Sequence, residues 1–236
     1  MRWIPPLRPF TLRSVLVWLL LAVVGAWLLA VMALIVLRFV DPPTTALQME
    51  RRIESWFHDS SSGAAGGVYR KRYEFVPLSQ ISPELQHAVI AAEDARFYEH
   101  HGFDWHAMEL AAENDMDGGR LRGGSTLTQQ LVKNLFFGDG RSLVRKGAEF
   151  TLVPVAEVVL GKQRILELYL NTVEMGPGIY GVEAASRAWF NAPARRVSRD
   201  QAARLAAILP SPRKRRPAAM NRYSGIIEER MRQMGW

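Results

Sequence analysis

The sequence contains no cysteine. That excludes a disulfide framework and thiolate metal sites, and it costs an exported protein nothing. Acidic residues are missing from the N-terminal end: Arg2, Arg8 and Arg13 precede the first acid, Asp41. Charge of either sign is missing from Val15 to Leu37, where Gly25 is the sole small break. No internal repeat and no second domain boundary is visible in the rest of the chain.

The uncharged run reaches roughly 35 Å as a helix, enough to cross a bilayer. The basic residues ahead of it place residues 1–14 in the cytoplasm, 15–37 in the membrane and everything later on the far side. A cleaved signal peptide has a shorter apolar core and a small-residue cleavage site; this run continues into Arg38, Phe39 and Asp41-Pro42-Pro43. A buried soluble helix would need a polar face, and there is none. Residues 38–67 read as a stalk, because Asp-Pro-Pro and Ser-Ser-Ser-Gly-Ala-Ala-Gly-Gly are breaker signals. Residues 68–236 then form one domain of sufficient size for a real core.

The formal net charge is +7 and the pI is about 10.0. A basic domain held at a membrane favours anionic lipids or phosphates. Nucleic acid is the generic partner of such a charge, but an exported, anchored domain does not meet it.

Val68–Val76 alternates and reads as extended, ended by Pro77. From Ser82 onward the pattern is helical. Ser82-Pro83-Glu84 supplies a cap, a first-turn proline and a dipole-matched acid. Leu85, Val89, Glu93 and Phe97 follow at i, i+4 spacing and predict one helical column. Glu93 in that column is either a satisfied structural acid or an acid–base group with a tuned pKa. Trp105–Arg122 reads as a mobile connection that carries the apolar Trp105, Met108 and Leu110. At Gly123–Asn134, Thr126 and Gln129 have capping-box spacing, and Gln130, Lys133, Asn134 and Phe137 form a donor-rich face. Arg145 and Glu149 are i, i+4, which a plain helix salt bridge also explains. Pro154 predicts a kink. Lys162–Asn171 reads as a core helix, Glu174–Gly181 as a glycine-rich turn and Arg213–Arg216 as part of a surface loop. A short amphipathic helix starts near Ser224.

Taken in order, these pieces resemble the peptidoglycan glycosyltransferases, both monofunctional transglycosylases and the N-terminal module of class A penicillin-binding proteins. E-D-x-x-F-x-x-H-x-G-x-D is met by Glu93, Asp94, Phe97, His100, Gly102 and Asp104. G-x-S-T-x-x-Q-Q-x-x-K-N is met by Gly123, Ser125, Thr126, Gln129, Gln130, Lys133 and Asn134. Arg145, Lys146 and Glu149 meet R-K-x-x-E, and Ile165–Asn171 meets I-L-E-x-Y-L-N. His101, Trp189 and Pro154 depart from the usual pattern. Ser211-Pro212-Arg213-Lys214 spells the S-x-x-K of penicillin-binding domains, but too little chain follows for a transpeptidase, so the monofunctional form is implied.

The resemblance implies a mostly α, lysozyme-like glycosyltransferase domain behind a single N-terminal transmembrane helix, in a Gram-negative inner membrane. It implies polymerisation of lipid II onto a growing glycan strand, with Glu93 as general base. Lys133, Arg141, Arg145 and Lys146 would hold the pyrophosphate leaving group. Glu149 would be the second functional acid, orienting those bases or a divalent cation (Mg2+ or Mn2+); no spacing demonstrates a metal cage. Ser125, Thr126, Gln129, Gln130 and Asn134 would line the donor side. Asp94, Arg96 and His100 would hold the first motif in place, His100 more as support than as chemistry. Phe97 fits either core or a sugar contact. Cell-wall synthesis or division proteins are the protein partners implied. Two rivals stand beside this reading: a lytic hydrolase, and a non-catalytic anchored module that binds lipid II or division proteins.

Overall fold

The computed structural model describes residues 11–59, 70–116, 124–140 and 142–236. They are mostly α-helical. Helix α1 (Leu12–Leu37) starts behind Thr11, whose side chain accepts from the Ser14 N–H. It is long and apolar enough to cross a membrane, and nearly all of its surface is exposed. Its last turns rest on the protein: Leu34 is fully buried, and Trp27 Nε1 donates to Thr151 Oγ1 at 3.0 Å.

The region read as a stalk holds a helix instead. Helix α2 (Ala46–Asp59) lies within it and packs on α5 (Leu127–Phe136) through Leu47 and its neighbours. The flanking breakers mark only its ends. After it, β1 (Arg72–Tyr73) is the strand within the described part of the alternating segment, parallel to β3 (Ile179–Tyr180), which pairs antiparallel with β2 (Glu174–Gly176). The glycine-rich turn is therefore a small hairpin. Asn171 ties the segment before Pro77 to the domain: its side chain accepts from Val76 N and donates to Val76 O.

The core is built by α3 (Pro83–Glu93), α5, α6 (Leu143–Thr172), α7 (Val182–Phe190), α8 (Arg199–Ile208) and α9 (Asn221–Gln233). Leu85, Leu131, Ile165, Leu166 and Leu205 meet there with no solvent exposure. Helix α3 packs on α8 and α9, while α5 runs along α6. Ser82 caps α3 and Pro83 opens it, as its sequence predicts. The column does not extend to Phe97. The helix stops at Glu93 because Asp94 takes non-helical angles, φ −157° and ψ 69°.

Two further expectations change. Trp105–Met116 is a helix, α4, opened by Asp104, whose carboxylate accepts from Ala107 N; the rest of the expected mobile connection lies outside the described residues. In α6 the backbone breaks at Gly161 (φ 72°, ψ 162°), not at Pro154. Glycine tolerates that positive φ, and the helix turns there into its second half.

Candidate active site

Glu93 ends α3 and faces α5. Gln130 Nε2 donates to Glu93 Oε2 at 2.9 Å, and Tyr169 Oη donates to Gln130 Oε1 at 2.9 Å. Tyr169 is fully buried, in the second half of α6. Three elements thus converge on one carboxylate. Burial pushes the Glu93 carboxyl above its ordinary value; the Gln130 hydrogen bond and the charge of Arg215 pull it back, and neighbouring Asp94 adds to the rise. Glu93 is therefore a carboxylate with a raised affinity for a proton, held by one donor and still partly open to solvent.

Asp94 does different work. Its carboxylate accepts from His100 Nε2 at 2.9 and 3.1 Å and from Leu127 N, in the first turn of α5, at 2.9 Å. His100 Nδ1 accepts from Gly102 N at 3.1 Å, which assigns the ring proton to Nε2. Gly102 carries φ +96°, and a Cβ there would sit 2.6 Å from Val153 Cγ1. Its carbonyl accepts from Thr126 Oγ1 at 2.7 Å. The Asp94–Gly102 turn thus sets the N-terminus of α5 against the end of α3. Of the two places open to Phe97, it takes the core one: it has no exposure and packs beneath Lys162, whose Nζ lies 4.5 Å from the ring centroid. Arg96 lies on the surface, paired with Glu99 and Asp104.

Helix α5 opens with the predicted capping box: Gln129 N donates to Thr126 Oγ1 and Thr126 N to Gln129 Oε1. Thr126 and Gln129 are used in that cap and are buried; Asn134 is buried as well. Ser125 is exposed just ahead of the cap. Gln130 and Lys133, at i, i+3, share the open side of the helix. Lys133 Nζ lies 3.6 Å from Asp139 Oδ1.

The positive charge continues into α6. Arg145 Nη1 donates to Gly138 O at 3.3 Å, tying the start of α6 to the end of α5. Glu149 is buried between Arg145 Nη1 (3.0 Å) and Lys146 Nζ (3.3 Å). The simple salt bridge is thus real and part of a triad. Glu149 Oε1 and Arg145 Nε have no aligned hydrogen-bond partner, so both retain bonding capacity. Arg141 lies outside the described residues. For a divalent cation the fit is poor: Glu149 is flanked by two cations, and among the described residues no three His, Cys, Asp or Glu side chains cluster.

Polar contacts therefore link Glu93 to Gln130 and Tyr169, Lys133 (one turn beyond Gln130 on α5) to Asp139, and the Gly138 carbonyl through Arg145 to Glu149 and Lys146. One end is a carboxylate suited to take a proton and the other a cationic patch suited to an anion. Tyr169, Asp139 and Arg215 belong to this arrangement and were not singled out from sequence. For Tyr169 the signals are its fixed place in the I-L-E-x-Y-L-N motif and a tyrosine among leucines, whose hydroxyl must find a partner when buried.

Residues 61–234 match the family model described as Transglycosylase. A biosynthetic peptidoglycan transglycosylase of Pseudomonas entomophila (strain L48) is 45% identical over 210 residues, covering 87% of this chain and 86% of the relative. The protein of the same description from Xanthomonas campestris pv. campestris (strain B100) is 41% identical over 235 residues, 98% of this chain and 92% of the relative. Another, from Pectobacterium carotovorum subsp. carotovorum (strain PC1), is 43% identical over 234 residues, 97% and 90% of the two chains.

Proposed function

Because the chain belongs to the transglycosylase family, we propose that it is a peptidoglycan glycosyltransferase that polymerises lipid II and releases undecaprenyl pyrophosphate. The single observation that carries this reading is the pairing of a proton-avid carboxylate, Glu93, with a cationic patch on the adjoining helices.

A sugar hydroxyl is a poor nucleophile until its proton is taken. Glu93 accepts the proton of the GlcNAc 4-hydroxyl of the incoming lipid II. That oxygen attacks the anomeric carbon of the growing strand's MurNAc, and the bond from that carbon to the pyrophosphate oxygen breaks. One displacement converts an α-linked donor into a β-1,4 product. The leaving pyrophosphate is a stable anion and needs positive charge rather than a proton, unlike the leaving oxygen of a glycoside hydrolase. Lys133, Arg145 and Lys146 supply that charge, with Arg141 as a fourth candidate. Glu149 holds Arg145 and Lys146 in place. Ser125 lies on the donor side. The chain is anchored by α1 in the inner membrane, N-terminus in the cytoplasm, with the domain in the periplasm among cell-wall synthesis or division proteins.

The cationic patch favours synthesis over lytic hydrolysis, which has no anion to release. A non-catalytic module binding lipid II would share the patch but would not turn over. Incubation of detergent-solubilised protein with labelled lipid II separates the readings. Long glycan from the wild type, and none from a folded Glu93→Gln variant that still binds lipid II, supports polymerisation. Absence of polymer from folded wild type would return Glu93 to a structural acid.

A further inference from the structure

Helix α2 presents one apolar face to the outside. Met49, Ile53, Trp56 and Phe57 are 54%, 47%, 62% and 73% exposed. Their i, i+4, i+7, i+8 spacing puts them on one stripe. The opposite face, with Leu47 and Arg51, packs toward α5 and β2. A row of large apolar side chains at this exposure marks a contact surface. We propose that this stripe is an interfacial surface, lying in the headgroup region of the bilayer leaflet from which α1 emerges.

Its place in the chain favours a lipid surface over a protein. Only residues 38–45 separate α1 from α2. Fully extended, they could carry α2 at most about 29 Å from the end of α1. They are also pinned. Arg164 donates to Leu37 O and Val40 O and pairs with Asp41, while Lys71 Nζ donates to Pro43 O. The stripe is thereby held near the membrane exit rather than displayed on a flexible tether. Arg52 lies 5.7 Å over the Trp56 ring, an indole–cation pair of the kind that suits headgroup depth.

The body of the domain has a matching feature. Glu50 and Arg51 of α2 hold Asp139, through its N–H at 2.6 Å and its carboxylate at 2.8 Å. Just past that loop, Leu143 and Val144 begin α6 with 91% and 84% exposure. Helix α6 is itself joined to α1 through Trp27 and Thr151. Seating the stripe would keep Asp139, and so Lys133, at the depth where a lipid-borne pyrophosphate lies. The inference rests on α1 crossing the membrane.

The absence of native cysteine makes the test direct. Met49→Cys and Phe57→Cys probe the stripe, Leu29→Cys the anchor and Arg222→Cys an exposed position on α9. Each is labelled with an environment-sensitive fluorophore in full-length chain, reconstituted in phosphatidylethanolamine–phosphatidylglycerol vesicles and checked for an unchanged melting temperature. The expected result is blue-shifted emission at 49 and 57, with quenching by nitroxide lipid several-fold above that at 222. Quenching at 29 with water-like, iodide-quenched emission at 49 and 57 overturns the proposal and keeps the anchor. Labels at 49 and 57 shielded from both quenchers overturn it in favour of a protein partner or second copy. No lipid quenching at 29 overturns the anchor reading and the proposal with it.

Discussion

Tyr169 Oη donates to Gln130 Oε1 at 2.9 Å, and this bond decides which end of the Gln130 amide faces Glu93. A phenol buried in an apolar helix face must give its proton to an acceptor, and the amide oxygen is that acceptor. The amide NH2 is then left to point at Glu93, where it donates at 2.9 Å. A donor favours the ionised carboxylate, the form a general base needs.

Replacing Tyr169 by Phe removes that constraint without changing the ring volume. Gln130 can then turn its oxygen to Glu93 and accept from the protonated acid. The charged groups acting on Glu93 are Arg215, which favours its ionised form, and Asp94, which opposes it; both are unchanged in the variant. The acid limb of the pH–rate profile should move to higher pH, with activity at the alkaline plateau largely kept. Steady-state glycan synthesis across pH, beside wild type, checks this; a uniform fall with an unmoved limb would make Tyr169 a packing residue only.

Glu93→Gln should separate activity from stability. Loss of a general base lowers turnover by about 10²–10⁴-fold. Stability goes the other way. The folded carboxyl is raised above its ordinary 4.5, so as pH climbs past that value the native state holds its proton longer than the unfolded one. Wild-type stability therefore declines through that window, whereas glutamine does not titrate. Thermal melts should show the variant at least as stable as wild type at pH 7, with the advantage shrinking as pH falls toward 4.5.

Gly102→Ala tests the turn that sets α5 against α3. The positive φ and the 2.6 Å approach to Val153 Cγ1 both act against a Cβ. A cost of about 2–4 kcal/mol in denaturant unfolding is expected. His100→Gln should cost less, about 1–2 kcal/mol, because an amide can still donate to Asp94.

The sequence carried local features well and tertiary ones poorly. The Ser82–Pro83 start, the Thr126–Gln129 box and the mostly helical class follow from spacing within a few residues. The Phe97 column failed because Asp94 leaves the helix to bind His100 and Leu127 N, a partner 33 positions away. Helix α2 was obscured by strong breakers on both sides, although its apolar stripe was present at helical spacing. Pro154 outweighed Gly161 as a break signal, yet glycine was where the backbone could turn. Glu93 and the basic patch were legible as motifs. Tyr169 was legible as a motif position, but its partner Gln130, 39 positions away, was not, and Asp139 acts through Arg51 and Lys133 contacts that no local pattern encodes.

Arg51 is where α2 meets the domain, and its loss should be costly. It is 10% exposed and pairs with Glu54, Asp139 and Glu174; Glu174 is 6% exposed. Burial raises the Glu174 carboxyl, and Arg51 is the main influence holding it down. Arg51→Ala would leave a buried acid without its nearest cation, a loss of about 2–4 kcal/mol. Glu174→Gln in the same chain should recover about 1–2 kcal/mol, since the orphaned charge is then removed. A double-mutant cycle by urea unfolding reads this coupling. Additive losses would mean that Arg51 acts on Asp139 and Glu54 alone. In that case Glu174 would owe its place to the β2 backbone, and the tie between α2 and the sheet would lie in packing instead of charge.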